Sequence, residues 1–266
     1  MEVINKHMWE GNAAIQLASQ VILELDGLND LNLINWIDYY NIDVMDFCAK
    51  PNKSTLLHEY IKDIDYFHLE YLLDKHFPMT VINNLTPILD FFGLDYSSIG
   101  ESIGLIDIDI LDDSSDKAEE YARLLLKFYV ENLSSVIVNE AFTILFMNKN
   151  FLFKFNSQLS EAIRELKVTD YPKLLKKDGV IKRVDFPSWL KKGVTYRDKG
   201  RCQLCGTDLT RIFQNDNPEN YDHIIPLELN GSNDPTNIQL TCEKCNKGKG
   251  ARNKNYVNSF SAFWNL

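Results

Sequence analysis

Apolar residues recur at three- and four-residue spacing through most of the chain up to residue 166, which is the pattern of helices that bury one face. Between Ala13 and Leu25, for example, Ile15, Ala18 and Ile22 fall on one side of a helix. The same spacing predicts further helices over residues 30–40, 55–76, 83–92, 116–133 and 158–166. The secondary structure of two segments is not determined by the spacing. Helix and strand compete over residues 135–155, and the alternating stretch 103–111 fits a strand or an extended loop.

Residues 167–187 form a polar connector. After it, β-branched residues and turn formers replace the helical spacing. The elements expected there are a strand around Asp222–Ile225, a turn at Gly231–Pro235, a return strand at Asn237–Thr241 and a basic helix from about Asn246. This order predicts a β-hairpin followed by a helix. We therefore expect a mainly α N-terminal domain, residues 1–175, and a small α+β C-terminal domain, residues 176–266.

Composition and charge narrow the class of protein. Hydrophobic residues make up 45% of the 266 residues and charged residues 25%, as in ordinary globular chains. No run of about 18 apolar residues predicts a membrane span, and no signal-peptide core is present, so we expect a cytoplasmic protein without a membrane partner. The net charge is −14 over residues 1–179 and +4 over residues 180–266. The basic part is the one suited to approach a phosphate backbone.

The cysteines favour a metal site. Four of the five lie in two C-x-x-C pairs, Cys202 with Cys205 and Cys242 with Cys245, while Cys48 stands alone. Paired thiolates in a chain without a secretion signal are typical zinc ligands, and redox or disulfide use is the alternative. Four protein ligands would close the zinc shell, so the expected role of the metal is structural. Cys48 is expected to be a small buried hydrophobe.

The segment between the cysteine pairs resembles the HNH endonuclease module, a ββα-metal nuclease with an added four-cysteine zinc site. The resemblance covers roughly residues 190–255 and rests on Asp222-His223, the central Asn237 and both cysteine pairs. It implies that His223 is the general base and that Asn237 or its backbone orients it. Asp222 and Asn246 would hold a catalytic Mg²⁺ or Mn²⁺. The family often has His where this chain has Asn246, and Asn also supplies an oxygen ligand there.

Basic residues flank the cysteine pairs and are candidates for contacts with phosphates. They are Arg197, Arg201, Lys247, Lys249 and Arg252. Such contacts would give salt-sensitive binding with little sequence preference. For any one of them, a solvated helix face is the alternative.

These observations predict a metal-dependent HNH endonuclease that hydrolyses phosphodiester bonds of nucleic acid, with DNA as the expected substrate. Family habit suggests a role in phage defence or restriction. The alternative is a catalytically inactive, zinc-stabilised nucleic-acid-binding module whose N-terminal domain interacts with proteins. In either case the acidic domain is expected to regulate, to self-associate or to recruit a protein partner.

Overall fold

The computed structural model describes residues 12–28, 31–105, 111–210 and 219–250. The α-helices are α1 (Asn12–Leu25), α2 (Leu33–Tyr39), α3 (Met45–Cys48), α4 (Leu56–Asp74), α5 (Pro78–Phe91), α6 (Ser97–Ser102), α7 (Asp116–Asn132), α8 (Ser134–Met147), α9 (Lys149–Arg164), α10 (Ser188–Arg197) and α11 (Glu243–Lys249). The strands are β1 (Leu175–Lys177), β2 (Val180–Ile181), β3 (Glu219–His223) and β4 (Ile238–Cys242). The predicted fold class, a helical N-terminal part followed by a small α+β region, is confirmed.

Helix α7 illustrates how the apolar spacing positions a buried face. Its buried side chains include Ala118, Ala122, Leu125 and Tyr129, which recur three or four residues apart. Phe128, next to Tyr129, is half-buried. The helix packs through this face against α5. Helical periodicity therefore predicted both the element and its inward side.

The segment where helix and strand competed forms two helices. Asn148 separates α8 from α9, and its side chain accepts a hydrogen bond from the backbone N–H of Phe151 at 3.1 Å. An asparagine in this position satisfies an N–H group at the start of the second helix, which explains the break. Of the other open segment, residues 106–110 lie outside the described residues.

The predicted connector contains a short antiparallel hairpin. Leu175 of β1 pairs with Ile181 of β2. Gly179 occupies the turn with a φ of +67°, a conformation that favours glycine. Periodicity did not predict these strands because each is too short to show alternation.

By contacts, the chain divides into two compact units. The first comprises Met1–Val21 with His58–Ile144, and the second comprises Ile22–Leu57 with Leu145–Leu266. The second unit contains both hairpins, the four paired cysteines and helix α9. The domain boundary predicted near residue 175 separates parts that would fold independently. The division by contacts does not test independent folding, so this boundary stays a prediction.

Within the described ranges, no single helix has the length and hydropathy of a membrane span. Helices α7 and α8 meet that criterion only when taken together across a bend of 62°.

In the second unit, helices hold the β3–β4 hairpin from several sides. Helix α10 packs on β4, and α11 packs on both strands. A small apolar core lies between them, formed by buried residues such as Leu190, Val194, Ile238 and Leu240. This core fixes the strand pair that carries the candidate site.

Candidate active site

The strand pair places Asp222 and His223 at the carboxyl end of β3. Strands β3 and β4 are antiparallel, with Asp222 opposite Gln239 and His223 opposite Ile238. All five residues of β4 are buried, which fixes the register of the pair. Asp222 and His223 are the two buried residues of β3 and stand next to each other at its end.

Asn237 holds the loop that follows His223. Its Oδ1 accepts from the N–H of Ile225 at 2.8 Å, and its Nδ2 donates to the carbonyls of Ile225 (3.0 Å) and Ser232 (2.8 Å). Its backbone carbonyl also accepts from the N–H of Ile224 at 2.6 Å. Asn237 thus acts on the backbone beside His223 rather than on the imidazole.

Gly231 allows this loop to close tightly. A Cβ added there would collide with the carbonyl of Ile225. Any side chain at position 231 would push the loop away from the strand end, so glycine is required by the close approach of backbone.

His223 is buried, with 1% of its surface exposed. Burial lowers the pKa of His223 to about 4, although a hydrogen bond with Asn233 opposes this shift. The imidazole is therefore neutral at physiological pH and can accept a proton. Its Nε2 lies 3.1 Å from Oδ1 of Asn233, and the ring of Phe186 lies beside it with centroids 5.4 Å apart.

Asn233 is a site residue that no motif in the sequence indicates. It is fully buried, and its backbone N–H donates to the carbonyl of Cys48 at 2.9 Å. Its Nδ2 donates to the carbonyls of Ala49 and Lys182, both at 2.9 Å. In sequence it stands among turn-forming residues, so only its role in a turn could be predicted.

Asp222 is paired with a lysine. Its Oδ2 accepts from Nζ of Lys249 at 2.6 Å and from Nε2 of Gln239 at 3.4 Å. Lys249 also donates to the backbone carbonyl of His223. Lys249 is only 5% exposed, so it lies in the interior and not on the surface where we expected a phosphate contact. The buried carboxylate explains this, because an unpaired charge there is costly.

Asp222 and Asn246, which are expected to hold a divalent cation, each have a side-chain oxygen that accepts no hydrogen bond from the described residues. Both hydrogen bonds to Asp222 use Oδ2 and leave Oδ1 without a partner among the described residues. Asn246 lies half-buried on α11, and no described residue hydrogen-bonds to its side chain. Carboxylate and amide oxygens suit Mg²⁺ or Mn²⁺, so each of these two donors is of a type that fits such an ion.

The four paired cysteines converge. Their sulfur atoms all lie within 4.8 Å of one another, and Sγ of Cys205 is 3.8 Å from Sγ of Cys242. Tetrahedral zinc with Zn–S bonds of about 2.3 Å places its sulfurs about 3.8 Å apart. The cluster is therefore compatible with a structural zinc. Cys48 is buried, as expected.

The remaining basic candidates occupy different environments. Arg197 is 4% exposed and forms an ion pair with Asp198 at 2.8 Å, so it too lies in the interior and not at a surface. The side chain of Arg201 is exposed, and Lys247 is exposed in an ion pair with Glu243. Arg252 lies outside the described residues.

A cleft of about 310 Å³ opens at Asp222 and His223. Two basic residues that we did not predict, Lys176 and Arg183, also line it. Lys176 pairs with Glu228 at 2.7 Å, whereas Arg183 is exposed and pairs with no acidic side chain in the described part of the chain. A guanidinium without a carboxylate partner at the edge of this cleft is placed to bind an anion.

Residues 202–252 match the family model for HNH endonuclease. The matched segment contains both cysteine pairs, Asp222-His223 and Asn237, and the resemblance predicted from these motifs is confirmed. The chain thus carries an HNH endonuclease domain. This domain supports a nuclease-type function and implies nucleic-acid binding. Searches of the curated proteins and of the solved structures found no match to the chain.

Proposed function

We propose that this protein is a metal-dependent endonuclease that hydrolyses phosphodiester bonds in DNA. The observation that carries the proposal is the placement of Asp222 and His223 in one cleft, on a hairpin that lies within the HNH match. A neutral histidine and an uncommitted carboxylate oxygen are the groups that hydrolysis requires there.

The proposed roles follow from the chemistry of each group. His223 takes a proton from a water molecule, whose oxygen attacks phosphorus as the bond to the 3′ oxygen breaks. The departing oxygen takes a proton from solvent and leaves as a 3′ hydroxyl. Asp222 and Asn246 would hold the Mg²⁺ or Mn²⁺, which when bound supplies positive charge to the phosphate and to the departing oxygen.

Asn237 contributes through the backbone. By bonding both polar groups of Ile225, it fixes the chain just after His223. We assign it the role of holding the loop at the strand end, so that the imidazole stays at one position in the cleft.

We propose that phosphates are held by exposed basic residues around the cleft. Arg183 lines the cleft itself, and Arg201 and Lys247 are exposed. Arg252 remains part of the proposal from its place in the sequence. Arg197 is excluded from this role by its burial in an ion pair.

A second candidate function is a nucleic-acid-binding module without catalysis. The ion pair of Lys249 with Asp222 favours it, because a lysine already neutralises the carboxylate that would hold the cation. The helical N-terminal part would then serve as a protein-interaction domain, a role that rests on its negative charge alone.

One experiment separates the two functions. A labelled DNA duplex is incubated with zinc-loaded protein in Mg²⁺, Mn²⁺ or EDTA, and binding and cleavage are measured on the same samples. The nuclease predicts metal-dependent cleavage that His223→Ala abolishes without loss of binding. His68→Ala is the matched control, since it removes an exposed histidine of α4 and should change nothing. Binding by the wild type without cleavage in any metal supports the second function.

The biological setting is a further proposal. Restriction or phage defence rests on the family resemblance, and plaque counts on cells that express wild type or His223→Ala test it. We propose the cytoplasm as the compartment, because a reducing environment keeps the free thiols described here available for zinc.

A further inference from the structure

The orientation of the Asn233 side chain is fixed by its surroundings. Its Nδ2 faces the carbonyl oxygens of Ala49 and Lys182, each at 2.9 Å. Only an NH₂ group can satisfy two carbonyl acceptors, since the reversed amide would place three oxygens against one another. The atom that faces His223 is therefore Oδ1, which is an acceptor.

An acceptor at this position determines the protonation pattern of the neutral imidazole. Nε2 of His223 lies 3.1 Å from Oδ1 of Asn233, so Nε2 must carry the hydrogen and donate it. In a neutral ring the other nitrogen then has the lone pair. No described residue hydrogen-bonds to Nδ1 of His223.

We propose that Asn233 is the positioning residue of the catalytic histidine: it holds His223 as the Nε2–H tautomer and leaves Nδ1 as the atom that accepts the proton. The catalytic part of this inference rests on the proposed nuclease function. The tautomer itself does not, because the orientation of the Asn233 amide determines which nitrogen of the neutral imidazole carries the hydrogen. Asn233 acts through His223 and need not touch the substrate.

The partners of Asn233 connect the histidine to helices distant in sequence. Cys48 and Ala49 stand at the end of α3 and accept from the backbone and side chain of Asn233. The next residue, Asp234, accepts from the N–H of Leu56 at the start of α4, at 3.3 Å. The tautomer of His223 is thus set by a loop that is anchored on residues 48–56.

The same loop is anchored at a second point. Thr236 is fully buried, and its hydroxyl accepts from Nδ2 of Asn156 on α9 at 3.3 Å. Its N–H and hydroxyl also donate to Asp234, at 2.8 Å and 2.6 Å. With both sides of Asn233 held, its amide cannot turn without breaking several buried hydrogen bonds.

The tautomer can be observed directly by NMR of the full chain labelled with ¹⁵N-histidine, zinc-loaded and free of other divalent ions at neutral pH. His223→Ala assigns the signals. We expect a protonated Nε2 and an unprotonated Nδ1 in the wild type. A protonated Nδ1, or protons on both nitrogens, would overturn the proposal whether or not the protein cleaves DNA.

Cleavage kinetics test the positioning role. Asn233→Ala removes the acceptor, and we expect kcat to fall about 10- to 100-fold with little change in KM, the range found when a partner that orients a metal-binding histidine is lost. The control is Asn230→Gly in the same loop. It removes a 2.7 Å bond to the carbonyl of Gly179 but no contact with His223, and glycine suits the left-handed backbone of position 230.

The outcomes separate the two proposals. If Asn233→Ala keeps its zinc and its thermal stability but also keeps full kcat, the positioning role is wrong. If Asn230→Gly lowers kcat as much as Asn233→Ala, the effect comes from the loop as a whole and the specific role is again wrong. If no variant and no wild type cleaves DNA, the nuclease function fails, and the NMR result still decides the tautomer.

Discussion

Arg197 provides a sharp test of the structural account, because sequence and structure assign it different roles. Its Nε and Nη2 donate to the two oxygens of Asp198 at 2.8 Å and 3.0 Å, and Nη2 also donates to the carbonyl of Ile238 at 2.6 Å. The guanidinium lies 4.8 Å from the ring centre of Phe146. We therefore expect Arg197→Met to act on stability rather than on contact with nucleic acid.

The size of the expected loss in stability follows from the carboxylate of Asp198, which the substitution leaves without its partner. Asp198 is fully buried, and its Oδ2 also accepts from the N–H of Leu240 at 2.7 Å, so the pair fixes β4. Removing one partner of a buried ion pair typically costs about 3–5 kcal/mol, because the other charge stays buried without compensation. We expect Arg197→Met to lower the free energy of unfolding of the second unit by about this amount.

The assay is urea unfolding followed by circular dichroism and by release of zinc to a coloured chelator, which reports on the cysteine cluster. Arg201→Met is the matched control, because its side chain is exposed, and it should change stability by about 0.5 kcal/mol or less. Adding Asp198→Asn to Arg197→Met removes the unpaired negative charge of Asp198. The double variant should therefore recover part of the lost free energy of unfolding.

Contact of Arg197 with phosphate would give a different result. If Arg197→Met unfolds like the wild type but binds labelled DNA more weakly, with a salt dependence reduced by about one unit, then Arg197 contacts phosphate. The burial and ion pair described above would then be wrong for the protein in solution.

Three further predictions concern other parts of the chain. Burial raises the pKa of Asp65 from 3.8 to about 6. The neutral carboxyl therefore favours the folded state below about pH 4, and the protein should lose about 3 kcal/mol of stability as the pH rises to about 6. NMR titration and unfolding at several pH values check this, and Asp65→Asn should flatten the dependence of stability on pH. Cys242→Ser should abolish stoichiometric zinc by elemental analysis, whereas Cys48→Ser should leave the zinc content unchanged. Arg183→Gln should lower kcat/KM for DNA about 10-fold, which corresponds to about 1.4 kcal/mol of transition-state stabilisation. Lys173→Gln, outside the cleft, should leave kcat/KM unchanged. If both substitutions have the same effect, Arg183 is not part of the site.

Short-range signals predicted the hairpin and the cysteine cluster. β-branched residues after His223 and turn formers at 231–235 indicate two adjacent strands, and the observed β3 and β4 lie within a few residues of the expected positions. The C-x-x-C spacing predicts paired ligands because each pair occupies one turn. Both signals are encoded within a few consecutive residues, which is why sequence alone sufficed.

Tertiary pairing could not be predicted in the same way. The bond from Asn233 to Ala49 joins residues far apart in sequence, and neither residue marks the other. Arg197 and Lys249 were placed at the surface because lone charges seldom lie in the interior. Each is buried because a carboxylate lies beside it, Asp198 for the first and Asp222 for the second, and the second pairing exists only once α11 packs on β3.

The most direct test of the central claim is the rate at which zinc-loaded protein nicks supercoiled plasmid in Mg²⁺, for wild type and for His223→Ala with equal zinc content. A metal-dependent nuclease with His223 as its base should nick the plasmid as wild type, should not nick it in EDTA, and should lose nicking in His223→Ala. Equal nicking by both proteins, or nicking that persists in EDTA, would contradict it.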